Sequence, residues 1–278
     1  MPLTSTDDIV GPAHATRRGV GAFNVVQIEH AEAIVAGAER AALPVILQIS
    51  ENTARYHGGL APIGLASLAL ARAASVPVAV HLDHAESADL VTEAVELGFT
   101  SVMFDASKLP YGDNVAATRV VTERCHRADV WVEAELGEVG GKDGAHAPGV
   151  RTDPEEARAF AAATAVDALA VAVGSSHAML SRDAVLDFDL IARLRGTLDV
   201  PLVLHGSSGV DDADLAKAVA AGMTKVNIST HLNRIFTRTV REHLEASPGV
   251  ADPRRYLGPA RDAVAAEVAR LLTVLAGP

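Results

Sequence analysis

The chain has 278 residues, 49% of them hydrophobic, which is ample material for one large core; an α/β barrel uses about 250 residues, so a single domain over 1–278 is expected. A net charge of −11 argues against nucleic acid or an anionic membrane surface as a general partner, although the local field of a pocket can still hold an anionic substrate. The one cysteine, Cys125, excludes an intrachain disulfide and fits a reducing compartment.

The N-terminal segment MPLTSTDDIVGPAHATRRG lacks the apolar core of a secretion signal, and no stretch reaches the roughly 18 uncharged apolar residues of a membrane span, so a soluble cytoplasmic protein is expected. Short apolar runs then alternate with helical patterns. In chain order the runs are GAFNVV (21–26), PVILQIS (44–50), PVAVHLDH (77–84), SVMFDA (101–106), VWVEAELG (130–137), ALAVAVG (168–174), PLVLHG (201–206) and KVNIST (225–230). Most are apolar on both alternations, as in parallel strands buried on both faces. Between them lie amphipathic segments such as IEHAEAIVAGAERA, SADLVTEAVELG, DPEEARAFAAATA and DADLAKAVAAG, several with an Asp or Ser cap or a terminal Gly. Eight strand–helix units predict a closed (β/α)₈ TIM barrel, with an extra C-terminal helix over 259–276. A doubly wound open sheet is the alternative, but no GxGxxG follows the first strand. The Gly-rich connections 137–152 and 175–185 are expected to act as lids.

Polar residues interrupt the strands where they emerge at one rim: Asn24, Gln48, Ser50, Asp83, His84, Asp105, Glu135, His177, His205, Asn227, Ser229 and Thr230. Histidines 84, 177 and 205, from strands three, six and seven, suit Zn²⁺ and leave a coordination position for substrate. Glu135 fits either a further ligand or a charge behind the ligands. His81 is expected to brace the site rather than bind metal, and His30 and His126 to be surface residues of helices. HGSSG after strand seven and NIST after strand eight offer small residues and a helix N-terminus, so Gly206, Ser208, Ser229 and Thr230 form a candidate phosphate cradle.

These segments, taken in order with GAFNVVQIE, SVMFDASKLPYGDN, VEAELGEVGG, TDPEEA and DPRRYLGPAR, resemble the class II, metal-dependent ketose-bisphosphate aldolases over nearly the whole chain. The resemblance implies a zinc site of His84, His177 and His205, with Glu135 and Asp105 as further acids of the metal rim and Asp83 as the acid/base. It implies substrate contacts from Asn24, Ser50 and Asn227, and the phosphate site already named. It also implies that Arg254 reaches the distal phosphate in a neighbouring subunit of a homodimer or homotetramer. The expected reaction cleaves a fructose- or tagatose-type 1,6-bisphosphate through a zinc-stabilised enediolate of dihydroxyacetone phosphate. Three departures bear on substrate identity. Ala178 stands where glycine is usual, which touches a possible monovalent-cation site. Lys142 and Asp143 replace a pair of acids, leaving Asp143 for the second proton transfer. Ser229 stands in place of Asp or Ala.

A carbanion beside a ketone needs a metal or a lysine Schiff base. Lys225 reads as preceding strand eight and the other lysines as helix or loop residues, so the Schiff base is disfavoured. An aldolase of the same family acting on a different ketose phosphate is the first alternative, followed by a zinc hydrolase on the same fold and a non-catalytic sugar-phosphate binder; the paired phosphate motifs count against the hydrolase, and Asp83 beside His84 against the binder.

Overall fold

Runs that are apolar on both alternations must bury both faces, and here they do so between a filled barrel interior and an outer layer of helices. The computed structural model describes residues 2–136, 151–176, 182 and 184–277. The strands are β1 (Val20–Asn24), β2 (Val45–Ser50), β3 (Val78–Ala85), β4 (Ser101–Phe104), β5 (Trp131–Glu135), β6 (Ala168–Ala170), β7 (Leu202–Leu204) and β8 (Met223–Ile228). They pair in parallel in sequence order, and β8 closes on β1 with Ala22 level with Asn227. The helices are α1 (Thr6–Thr16), α2 (Ile28–Ala41), α3 (Glu51–Tyr56), α4 (Ala61–Ala73), α5 (Ala88–Leu97), α6 (Tyr111–His126), α7 (Pro154–Thr164), α8 (Phe188–Thr197), α9 (Asp212–Ala221), α10 (Thr230–Ala246) and α11 (Arg254–Ala276).

Side-chain caps start several of the helices that follow strands. Ser50, Ser87, Asp153, Asp187 and Asp211 each accept a first-turn amide, of α3, α5, α7, α8 and α9 respectively. Ser50 ends β2 and Ser87 follows β3 by two residues, so at these two places the helix starts directly at the strand end.

The sheet divides the apolar residues into two clusters. The outer one joins strands to helices. The inner one fills the barrel with Val20, Ala22, Ile46, Ala79, Met103 and Val203, and α1 seals that end with Ile9 and Val10. This N-terminal helix was not anticipated from the sequence. The final helix begins at Arg254, five residues before the expected start, and packs along α2 and α10. His30, expected at the surface, is buried at 3% exposure and stacks on Phe236 of α10 at 4.8 Å. None of the helices among the described residues is long and apolar enough to cross a membrane.

Candidate active site

Inward-facing positions of β1, β2, β3, β5, β7 and β8 turn polar towards one end of the barrel. On β3, His81 and Asp83 share the inner face by simple alternation, which would send His84 outward. It does not go outward. His84 adopts a left-handed backbone (φ 49°), and the pairing of β3 with β4 slips between Leu82 and Ala85. Such a bulge re-aims a side chain at a functional site. His84 thereby stands 4.7 Å, ring to ring, from His205 of the β7 end.

Carboxylates orient both imidazoles. His84 Nδ1 lies 2.8 Å from Asp105 Oδ2, and Asp105 Oδ1 accepts the Ser107 hydroxyl at 2.6 Å. His205 Nε2 lies 2.9 Å from Glu133 Oε1, and its Nδ1 is 3.4 Å from Glu135 Oε2. Burial pushes the His205 ring down, but its contacts with Glu133 and Glu135 outweigh this and raise it to about 9. Donor atoms of Asp83, His84 and His205 fall within 4.8 Å of one another, as do those of His84, Asp105 and Glu135. Two imidazoles and three carboxylates, with each imidazole anchored through one nitrogen, form a donor set suited to a divalent metal. His177 and Asp143 lie outside the described residues, as do Lys142 and Ala178.

Asp83 is fixed from the side. Asn24 Nδ2 donates to its Oδ2 at 2.9 Å, and Gln48 Nε2 donates to Asn24 Oδ1 at 2.7 Å. Although it stands at the rim, Asp83 is only 3% exposed. Burial raises its pKa, but the charges of His84, Lys225 and His205 outweigh that and hold it below the usual carboxylate range. Ser50 is engaged as the cap of α3, where its hydroxyl accepts the Thr53 amide at 3.2 Å.

The phosphate motifs also meet. Ser208 Oγ accepts from the amides of Ser229 at 3.3 Å and His231 at 3.2 Å, at the start of α10 and next to Thr230. Gly206 has φ 66°, and a Cβ there would lie 2.5 Å from the Ser176 carbonyl, so only glycine lets the loops after β6 and β7 come this close. Arg254 stands apart at the start of α11, with its side chain 89% exposed and 2.8 Å from Asp252.

The model of the class II fructose-bisphosphate aldolases matches residues 4–277. The chain belongs to that family. It is 40% identical over 272 residues to a fructose-bisphosphate aldolase of Geobacillus stearothermophilus, covering 96% of this chain and 95% of that protein. It is 39% identical over 268 residues to one from Staphylococcus aureus strain Mu50, covering 95% and 94%. Among solved structures, the YdjI aldolase from Escherichia coli K12 superposes with a TM-score of 0.87 at 29% identity, over 98% of this chain and 97% of that one. Class II aldolases are metal-dependent carbon–carbon lyases acting on sugar phosphates, so the metal-compatible donor set agrees with family membership.

One expectation about this aldolase needs correction. Lys225 does not precede β8; it lies within it, wholly buried inside the barrel, with Nζ 2.8 Å from Glu133 Oε2. Pairing, and not position, disfavours a Schiff base at Lys225, because its ammonium is matched by a buried carboxylate. Glu133 was also missed. Its signal was visible, since VWVEAE places Glu133 and Glu135 two apart and hence on one face of the strand.

Proposed function

We propose that this protein is a zinc-dependent aldolase that cleaves and re-forms the C3–C4 bond of a fructose- or tagatose-type 1,6-bisphosphate, with the whole chain working as one cytoplasmic barrel domain. The observation that carries the reading is the Asp83 carboxylate, oriented by Asn24 and within 4.8 Å of the donor atoms of His84 and His205.

His84, His205 and His177 would hold the zinc, with Asp105 and Glu135 as the acids around it. When bound, the ion supplies Lewis-acid polarisation of the ketone. Asp83, held in place by Asn24, takes the proton from the C4 hydroxyl as the C3–C4 bond breaks and the C4 aldehyde forms. The electron pair stays on the triose half, and Asp143 on its loop returns a proton to C3. Asn24, Ser50 and Asn227 orient substrate hydroxyls. Gly206, Ser208, Ser229 and Thr230 hold the triose phosphate, whose amide partners Ser208 now occupies. Arg254, exposed on α11, grips the distal phosphate in the neighbouring protomer of a homodimer or homotetramer. A monovalent cation near Ala178 would complete the phosphate site.

A coupled assay for aldehyde release from both bisphosphates tests this reading. Stripping metal should abolish turnover and zinc or cobalt should restore it; full activity after prolonged dialysis against excess EDTA would overturn the proposal. Arg254→Ala should raise KM for a bisphosphate about 10-fold or more, the usual worth of a charged hydrogen bond, and hardly change it for the matching 1-phosphate. Equal changes for the two substrates would remove Arg254 from the site.

A further inference from the structure

Glu133 of β5, Lys225 of β8 and His205 are each wholly buried, and Glu133 and Lys225 stand two residues before Glu135 and Asn227 on their strands. Barrel interiors are normally filled by branched apolar side chains. Against such a filling a buried ion pair is seldom a net gain in stability, because both charges lose their water. Its place directly under the site therefore points to a role other than stability.

We propose that the Glu133–Lys225 pair is a positioning device that orients the metal-facing imidazole of His205 and the substrate-facing amide of Asn227 together. This rests on the reading of His205 as a zinc ligand. Glu133 Oε1 takes the Nε2 side of His205 at 2.9 Å, so Nδ1 is the nitrogen presented to the metal. Glu133 Oε2 lies 2.8 Å from Lys225 Nζ, which in turn donates to Asn227 Oδ1 at 2.8 Å. A lysine ammonium only donates, so the Asn227 amide must turn its oxygen to Lys225 and keep Nδ2 for a substrate oxygen. His81 flanks Glu133 on a third side. Ser101 Oγ accepts from Thr6 at 2.7 Å and lies 2.8 Å from His81 Nδ1, and the other ring nitrogen of His81, Nε2, lies 3.8 Å from Glu133 Oε2. One ion pair thus sets which nitrogen meets the metal and which end of the amide meets the substrate.

The test compares wild type with Glu133→Gln, Lys225→Met and the double variant. Each single change strands a buried charge and should lower the thermal midpoint. The double variant buries no net charge and should recover it. Its zinc affinity, measured against a chromophoric chelator, should still be about 10- to 100-fold weaker, as for other lost partners of metal ligands, and KM for the bisphosphate should rise. A double variant that regains the midpoint, zinc affinity and KM together would overturn the proposal. A second measurement needs no altered network. In zinc-loaded wild type labelled with ¹⁵N-histidine, the signal lost in His205→Gln should show a proton on Nε2 and metal on Nδ1; metal on Nε2 overturns the inference even if the variants do not fold. Wild type that takes up no zinc at all would instead defeat the parent reading.

Discussion

Towards α1 the inward positions of β1, β2, β3 and β7 hold Val20, Ala22, Ile46, Ala79 and Val203, whereas further along, towards the rim, the same strands lead to Asn24, Gln48, Asp83 and His205. On β2 the change occurs between Ile46 and Gln48, both wholly buried and two residues apart on one face. Burial therefore does not distinguish the halves; the way each side chain is satisfied does. The α1 half needs volume and shape, and any well-packed apolar set would serve it. The rim half needs a partner for every polar atom, so its residues fix one another in chains such as Gln48–Asn24–Asp83. If the division is functional, damage to the two halves should separate stability from chemistry.

The largest effect is expected at Asp83. Asp83→Ala should keep the fold and zinc and lose about 10²–10⁴ in cleavage rate, the usual worth of a positioned acid/base. Exchange of the C3 proton of dihydroxyacetone phosphate should fall much less, because another group carries that step. Zinc content, cleavage and exchange on one purified variant decide the matter. Equal losses in both reactions, or loss of zinc, would make Asp83 a ligand or a brace instead.

The opposite result is expected from Ile46→Ala. The cavity left by this wholly buried side chain should cost about 2–5 kcal/mol in denaturant unfolding. Turnover per folded molecule, with zinc saturating, should stay near wild type. A large fall in kcat at temperatures where the variant is fully folded would mean that the α1 half shapes the site, and the contrast between halves would fail.

The two halves were also unequally legible in the sequence. The strands and the rim could be read because doubly buried strands leave long apolar runs, and a polar residue at the end of such a run stands out. Asp83, His84 and His205, whose donor atoms the fold brings within 4.8 Å of one another, stand out in this way. Strict alternation cannot place Asp83 and His84 on one side; that takes the left-handed turn at His84, and no composition rule signals it. Lys225 and Glu133 were overlooked for a related reason. A charge at the start of a run or within it looks like a boundary or an outward position until its partner across the barrel is known, and that partner lies 92 residues away in sequence. The α1 plug was hidden because TDDIVGPAHAT contains Pro12 and Gly11 and buries only Thr6, Ile9 and Val10.

His81 sits where the halves meet, against Trp131 on one side and Glu133 on the other, and it offers the finest test. Burial, reinforced by the charge of Lys225 and opposed by Glu133 and Asp83, lowers its pKa from 6.5 to about 3. In the unfolded chain it titrates near 6.5. Between these values the unfolded chain takes up a proton that the folded one refuses, so the stability contributed by neutral His81 is fully present above 6.5 and is lost as pH falls towards 3. From pH 6.5 down to about 4.5, above most carboxylate titrations, the loss approaches roughly 2 kcal/mol. His81→Gln keeps an acceptor for Ser101 and removes the titration. Urea unfolding of metal-free wild type and variant over this window should therefore show the variant gaining on wild type by about that amount as pH falls. His205, raised to about 9, stays protonated in both proteins throughout and drops out of the difference. Parallel pH profiles would show that His81 is not held neutral, and the boundary between the apolar and polar halves would have to be drawn elsewhere.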